Sequence, residues 1–145
     1  MEIERKFKVD RLPEDWAQWP QSRIQQAYLC REPVVRVRQR GEAFWLTCKG
    51  QGLLTREEFE LPLSREAYDH LLAKADGRII TKDRVCIPLG ERTMELDLFH
   101  GDLEGLRLVE VEFPTEEEAL AFTPPDWFGE EVTYDPAYCN ANLSK

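Results

Sequence analysis

A mainly β, antiparallel fold with a few peripheral helices (α+β in the broad sense) is the class that this sequence predicts. Three observations point to it. Short segments alternate charged and apolar side chains with the two-residue period of an extended strand. Glycine-containing turns of two or three residues separate several of them, as in a meander. Only two stretches open with a capping residue followed by helix-forming sequence, at Ser64 and at Thr115.

The first strand spans Met1 to Val9, with Glu2, Glu4 and Lys6 on one face and Ile3, Arg5, Phe7 and Val9 on the other. Asp10 to Trp19, bearing Pro13, reads as a surface connection with at most one helical turn. Ser22 to Cys30 forms a second strand, which Glu32-Pro33 breaks. Val34 to Arg40 resumes it and aligns Arg36, Arg38 and Arg40 on one face. Gly41-Glu42 turns the chain into Ala43 to Lys49, where Trp45, Thr47 and Lys49 oppose Phe44, Leu46 and Cys48. After Gly50-Gln51-Gly52, one strand from Leu53 to Leu63 puts Arg56, Glu58 and Glu60 on a common face.

Ser64 caps the clearest helix, in which Tyr68, Leu71, Leu72 and Ala75 recur at helical spacing before Asp76-Gly77 ends it; it is expected to pack outside the sheet. Arg78 to Pro88 is a strand with Ile80, Lys82, Arg84 and Cys86 on one face. Leu89-Gly90-Glu91 leads into Arg92 to Phe99, with Thr93, Glu95, Asp97 and Phe99 on one face, and Leu106 to Phe113 carries Glu110 and Glu112. Thr115 and three glutamates open a short helix to about Phe122, where they complement the helix dipole. The tail from Trp127 is expected to be a loop and a final short helix covering one edge or end of the sheet.

At 145 residues the chain is expected to be a single domain, residues 1–145, large enough to bury roughly two-thirds of its unfolded surface around one core. A net charge of −9 argues against nucleic-acid binding through general basicity. Cys30, Cys48, Cys86 and Cys139 form no CxxC pair, so neither a zinc site nor a close-spaced disulfide framework is signalled. No apolar run is long enough to span a bilayer, and the acidic start is unlike a secretory leader. The expectation is a cytoplasmic protein with reduced thiols, with no nucleic-acid or membrane partner.

The aligned charges are Lys6, Arg36, Arg38, Lys49, Lys82 and Arg84 as bases, with Glu2, Glu4, Glu58, Glu60, Glu95, Asp97, Glu110 and Glu112 as acids. Two folds accommodate them. A sandwich would turn the apolar faces inward and leave the charges in water, whereas a barrel of about eight strands would enclose the charges in a polar tunnel. In a tunnel, the basic wall calls for a polyanion gripped by guanidinium forks, and the acidic wall for hard cations such as Mg²⁺ or Mn²⁺. A metal-bound phosphate chain satisfies both. His70 and His100 have no metal-ligand spacing and are read as surface residues.

Glu2-Ile3-Glu4-Arg5-Lys6 resembles the ExExK motif of the CYTH superfamily, the triphosphate tunnel metalloenzymes. The resemblance continues in order through Val35-Arg36-Val37-Arg38, Thr47-Cys48-Lys49, Arg56 to Glu60, Lys82-Asp83-Arg84, Glu95 to Phe99, Val109 to Glu112, and the segment with Glu131-Val132-Thr133, Tyr138 and Asn140. It implies an eight-stranded, antiparallel, closed β-barrel that binds triphosphate inside with one or two divalent ions, Mg²⁺ or Mn²⁺. Lys6, Arg36, Arg38, Lys49, Lys82 and Arg84 would hold phosphate. Glu2, Glu4, Glu58, Glu60, Asp97, Glu110 and Glu112 would hold metal, and Tyr28, Lys82 and Glu4 would serve catalysis. Glu95 stands among them by strand register rather than by a motif position.

The shortness of the chain is similar to bacterial members that hydrolyse inorganic triphosphate to pyrophosphate and phosphate. Cyclisation of ATP, as in class IV-type adenylyl cyclases, would need a nucleoside pocket as well. Thiamine or nucleoside triphosphate hydrolysis would draw on a stacking residue among Trp16, Trp19, Trp45 and Trp127. A binding module for polyphosphate or nucleotide is the non-catalytic option, and the many carboxylates speak against it. A homodimer stays open as an assembly.

Overall fold

The computed structural model describes residues 1–145. Its elements run β1 (Glu2–Val9), β2 (Gln21–Arg31), β3 (Val34–Arg40), β4 (Ala43–Lys49), β5 (Thr55–Arg56), β6 (Glu58–Leu63), α1 (Arg65–Leu72), β7 (Ile80–Leu89), β8 (Arg92–Phe99), β9 (Arg107–Glu112), α2 (Glu116–Ala121), β10 (Phe128–Glu131) and α3 (Asn140–Leu143). Single 3₁₀ turns occur at Trp16–Gln18, Gly101–Leu103 and Pro136–Tyr138. No helix is long and apolar enough to cross a membrane.

Every pairing is antiparallel, and the strands lie in the order β10-β1-β9-β8-β7-β2-β3-β4-β6. The expected closed barrel is not completed by hydrogen bonds. The reason lies in the stretch read as one strand from Leu53 to Leu63. It breaks at Glu57, so that β6 continues the ladder on β4 while β5 pairs with β1 through Glu2↔Arg56 and Ile3↔Thr55. The wall therefore bends around on itself, and its last step is made by the covalent chain.

Two further readings are corrected. The tail holds a strand, β10, which pairs with the second half of β1 through Phe7↔Glu131 and Val9↔Phe128. The first helix ends at Leu72 rather than reaching Ala75, with Ala73 as its C-cap. Both expected N-caps form: Ser64 Oγ accepts from the Ala67 amide at 3.1 Å, and Thr115 Oγ from the Glu118 amide at 3.1 Å.

The apolar faces point outward and are covered. Phe7, Val85, Leu96, Val109 and Val111 form the largest cluster with Phe113, and Trp16, Trp19, Phe122, Trp127 and Phe128 pack over it. Helix α1 places Tyr68 on Ala27, Val37 and Phe44 from β2, β3 and β4. The inward face, however, is not charged along its whole length. Ile80, Phe99 and Leu108, at one end of β7, β8 and β9, meet Val132, Tyr138 and Leu143 of the tail in an apolar plug.

The tail is fastened from the sheet side by Arg31, which donates to the Ala141 carbonyl at 2.9 Å, the Asp76 carbonyl at 2.6 Å and Ser144 Oγ at 2.9 Å. Gly77 makes this approach possible. Its φ of +99° is in the left-handed region, and a β-carbon there would collide with the Ser144 carbonyl and the Arg31 guanidinium. Gly77→Ala is therefore expected to cost about 2 kcal/mol or more in urea unfolding and to make the last residues the first site of protease nicking. Unchanged stability and nicking would contradict this account of the tail.

Candidate active site

The inward faces of the strands enclose a cavity of about 1030 Å³. Strand register brings the predicted residues to it as neighbours on adjacent strands. Lys6 stands opposite Glu110, which is opposite Glu95; Glu4 faces Glu112; Lys49 faces Glu58; and Thr47 lies between Arg36 and Glu60. Glu2, Glu4, Lys6, Tyr28, Arg36, Arg38, Lys49, Glu58, Glu60, Arg84, Glu110 and Glu112 all line the cavity. Lys82 and Asp97 do not. They lie beneath its surface, with side chains 0% and 2% exposed, just above the apolar plug. Alternation assigns a residue to a face but says nothing about its depth.

The cations fall into two kinds. Lys49 is neutralised by Glu2 at 2.9 Å and Glu58 at 3.5 Å, Lys6 by Glu110 at 3.3 Å, and Arg84 by Asp97 at 2.8 Å and Glu95 at 3.0 Å. Arg36 and Arg38 form no ion pair. Arg38 donates through Nε to Gln26 Oε1 at 2.8 Å, and the Nε of Arg36, a residue only 4% exposed, has no hydrogen-bond partner at all. Burial, then the neighbouring charges of Arg36 and Arg84, pull the Arg38 guanidinium down to about 9, still protonated at neutral pH.

The carboxylates divide in the same way. Lys49 and Arg56 hold Glu2, and Lys6 holds Glu110. Glu4 and Glu112 form no ion pair although they are direct partners across the β1–β9 ladder. Burial, reinforced by Glu110 and Glu2, pushes the Glu4 carboxyl up to about 8. Glu112 is raised by burial and by Glu2 and Glu95, and Glu58 by burial and by Glu2. Like charges set directly opposite on adjacent strands repel, and the nearby Lys49 and Lys6 offset this only in part. No three acidic groups converge closely enough to hold an ion by themselves.

Sequence reasoning left some lining residues out. Arg40 lines the cavity without an ion pair, donating from Nε to Ser22 Oγ at 2.8 Å, and Arg56 lines it while contacting Glu2 at 3.2 Å. Both share a strand face with residues that were chosen, so alternation alone could have found them. Thr133, which accepts from the Lys6 amide at 2.9 Å, reaches the cavity only because the tail folds back, and no strand pattern signals it. Trp45 is the tryptophan at the cavity; Trp16, Trp19 and Trp127 belong to the outer apolar cluster. His100 pairs with Asp83 at 2.8 Å away from the cavity, and His70 is exposed on α1.

No family model matches the chain. Relatives match it over most of its length. An inorganic triphosphatase of Nitrosomonas europaea is 40% identical over 148 residues, which span 99% of this chain and 96% of the relative. An inorganic triphosphatase of Acetivibrio thermocellus is 39% identical over 118 residues, or 79% of this chain and 74% of the relative. Among solved structures, an inorganic triphosphatase superposes with a TM-score of 0.73 at 37% identity, covering 99% of this chain and 94% of its own. A Hippeastrum protein described as an adenylyl cyclase with a dominant triphosphatase activity shares the fold, with a TM-score of 0.65 at 14% identity over 83% of each chain. With two relatives near 40% identity that it covers by well over two-thirds, the chain belongs to the inorganic triphosphatase family.

Proposed function

We propose that this protein hydrolyses inorganic triphosphate to pyrophosphate and phosphate inside the charged cavity. One observation carries the reading: Arg36 and Arg38 face the cavity as cations without a protein anion beside them. A buried charge without a partner is costly, and a phosphate chain supplies the missing negative charge together with oxygens that match the guanidinium fork. Lys6, Lys49 and Arg84 stand on the same lining and extend the grip along the chain. Tyr28, opposite Arg36 on the β2–β3 ladder, is the side chain assigned to the leaving oxygen. Placement within the wider CYTH superfamily rests on the ordered motifs from ExExK onward.

Mg²⁺ or Mn²⁺, as one or two ions, is part of this proposal. The donor set fits, because Glu4 and Glu112 offer hard carboxylate oxygens that have no other partner, with Glu110 beside them. Phosphate oxygens of the substrate would complete their shell. A bound ion would supply Lewis-acid neutralisation of charge at the phosphoryl oxygens. A cytoplasmic setting belongs to the same reading, supported by four cysteines of which none forms a disulfide.

Phosphate release from inorganic triphosphate, ATP and thiamine triphosphate, each with Mg²⁺, Mn²⁺ or EDTA, tests the proposal. The expected result is metal-dependent release from inorganic triphosphate, with kcat/KM lowered roughly 100-fold or more by Arg36→Met, the scale of losing a preorganised donor to developing charge. Release that ignores EDTA, or none from this substrate, would sink it.

Glu4 gives a second test, through stability. Its folded carboxyl titrates near 8 against an ordinary 4.5, so between these values the folded state holds a proton that the unfolded state has lost. The contribution of Glu4 to stability therefore falls as pH rises across that window and levels off above it. In EDTA, Glu4→Gln is expected to gain on the parent steadily from about pH 5.5 to about 8 and to level off beyond, by on the order of 3 kcal/mol in total, while losing activity. Parallel stability curves for the two proteins would refute the assignment.

A further inference from the structure

We propose that Asp97 is a positioning residue which sets Arg84 for the substrate, and that it is not a metal ligand. This inference rests on the reading of the cavity as a triphosphate site, and it departs from the role that the family resemblance implies for this aspartate. Asp97 and Arg84 are direct partners across the β7–β8 ladder, yet only Arg84 lines the cavity. Asp97 lies beneath, 1% exposed, with Leu108 as its partner on the other side.

Both carboxylate oxygens are already engaged. Oδ1 accepts from Arg84 Nε at 2.8 Å, and Oδ2 accepts from Arg84 Nη2 at 2.9 Å while contacting Lys82 Nζ at 2.7 Å. Arg84 and Lys82 together outweigh the effect of burial and hold the carboxyl below its ordinary range. A hard divalent ion needs about six oxygen ligands, and this pocket offers it two cations and an apolar floor of Phe99, Ile80 and Leu108 instead.

What the arrangement does achieve is orientation. The two-point clamp from Asp97, joined by Glu95 Oε2 on Arg84 Nη1 at 3.0 Å, fixes the plane of the guanidinium. A guanidinium has five N–H donors, so one remains on each terminal nitrogen for an anion in the cavity. Lys82 Nζ lies below the cavity, 2.7 Å from Asp97 Oδ2 in an ion contact without a hydrogen bond and 5.2 Å from the centre of the Phe99 ring. Burial and the neighbouring guanidiniums pull this ammonium down to about 7, and Asp97 acts to keep it charged.

The two roles predict opposite signs when no metal is present. Removing a metal-ligating carboxylate from beside a polyanion relieves repulsion, so metal-free triphosphate binding would hold or tighten. Removing the anchor of Arg84 weakens it. Calorimetric titration of the full chain with inorganic triphosphate in EDTA is expected to show Asp97→Asn binding roughly 10-fold or more weakly than the parent, the scale of a charge-assisted bond. With Mg²⁺ restored and triphosphate saturating, the Mg²⁺ concentration for half-maximal activity is expected to stay within about twofold of the parent's, since no ion ligand has been removed. Unaltered or tighter binding in EDTA, or a large rise in the Mg²⁺ requirement, would overturn the inference.

Asp97→Asn leaves two buried cations without their anion, so a charge-balanced pair is compared alongside it. Arg84→Met/Asp97→Asn should match Arg84→Met alone in both triphosphate affinity and Mg²⁺ requirement, because the aspartate then has no guanidinium to orient. A further rise in the Mg²⁺ requirement in the double variant would again mark a metal ligand. Failure of the parent itself to bind triphosphate in EDTA would instead overturn the reading of the cavity, and this inference with it.

Discussion

The fold depends on one inversion: the charged face of the sheet is turned inward and the apolar face outward. Each face then imposes a demand. The outer face requires cover, which explains elements that would otherwise look incidental: the 3₁₀ turn at Trp16–Gln18, α1, α2 and β10 each lie on an apolar cluster. The inner face requires neutrality, because charges crowded in a poorly solvated space repel strongly. The chain meets that second demand only in part. Lys49 with Glu2, Lys6 with Glu110 and Arg84 with Asp97 are balanced, while Arg36, Arg38, Glu4 and Glu112 are not.

This incomplete balance gives the cavity its chemistry. The unmatched arginines and the unmatched glutamates lie on different strands, and on the proposed reading an anion and a cation would enter side by side without displacing one another. On the proposed reading, the balanced pairs act as a reserve. A phosphate oxygen that reaches Lys6 or Lys49 competes with the glutamate already there, and that glutamate becomes free to face an ion. Charge is thus exchanged between partners at near-constant total, which suits a site that must release as well as bind its polyanion.

Much of this was legible in the residues, because a two-residue period states which side chains share a face. Val34 to Arg40, Ala43 to Lys49 and Arg92 to Phe99 are strands with the predicted bounds, and their inward residues are the predicted ones. Which side of the sheet faced inward was not legible, since a sandwich and a tunnel share the same alternation; the ordered motifs of a family tipped that choice. Depth was lost as well. Lys82 and Asp97 fall on the correct face but sink below the cavity, because Phe99, Ile80 and Leu108 around them are apolar and bring the tail down over that end. Strand β10 was hidden because Phe128–Glu131 is only four residues, contains a glycine and follows Pro124-Pro125, so it carries more loop signal than strand signal. The break at Glu57 depends on two ladders competing for one segment, a contest of tertiary geometry that local sequence does not record.

The break also changes how the wall behaves mechanically. A closed ring resists widening through every one of its ladders, but here the circuit between β1 and β6 is completed by β5, a strand of only two residues. The molecule is closer to a clasp than to a pipe. A guest that widened the cavity would meet the least resistance at this seam, where few backbone hydrogen bonds hold the wall, while the long ladders on the far side kept their register.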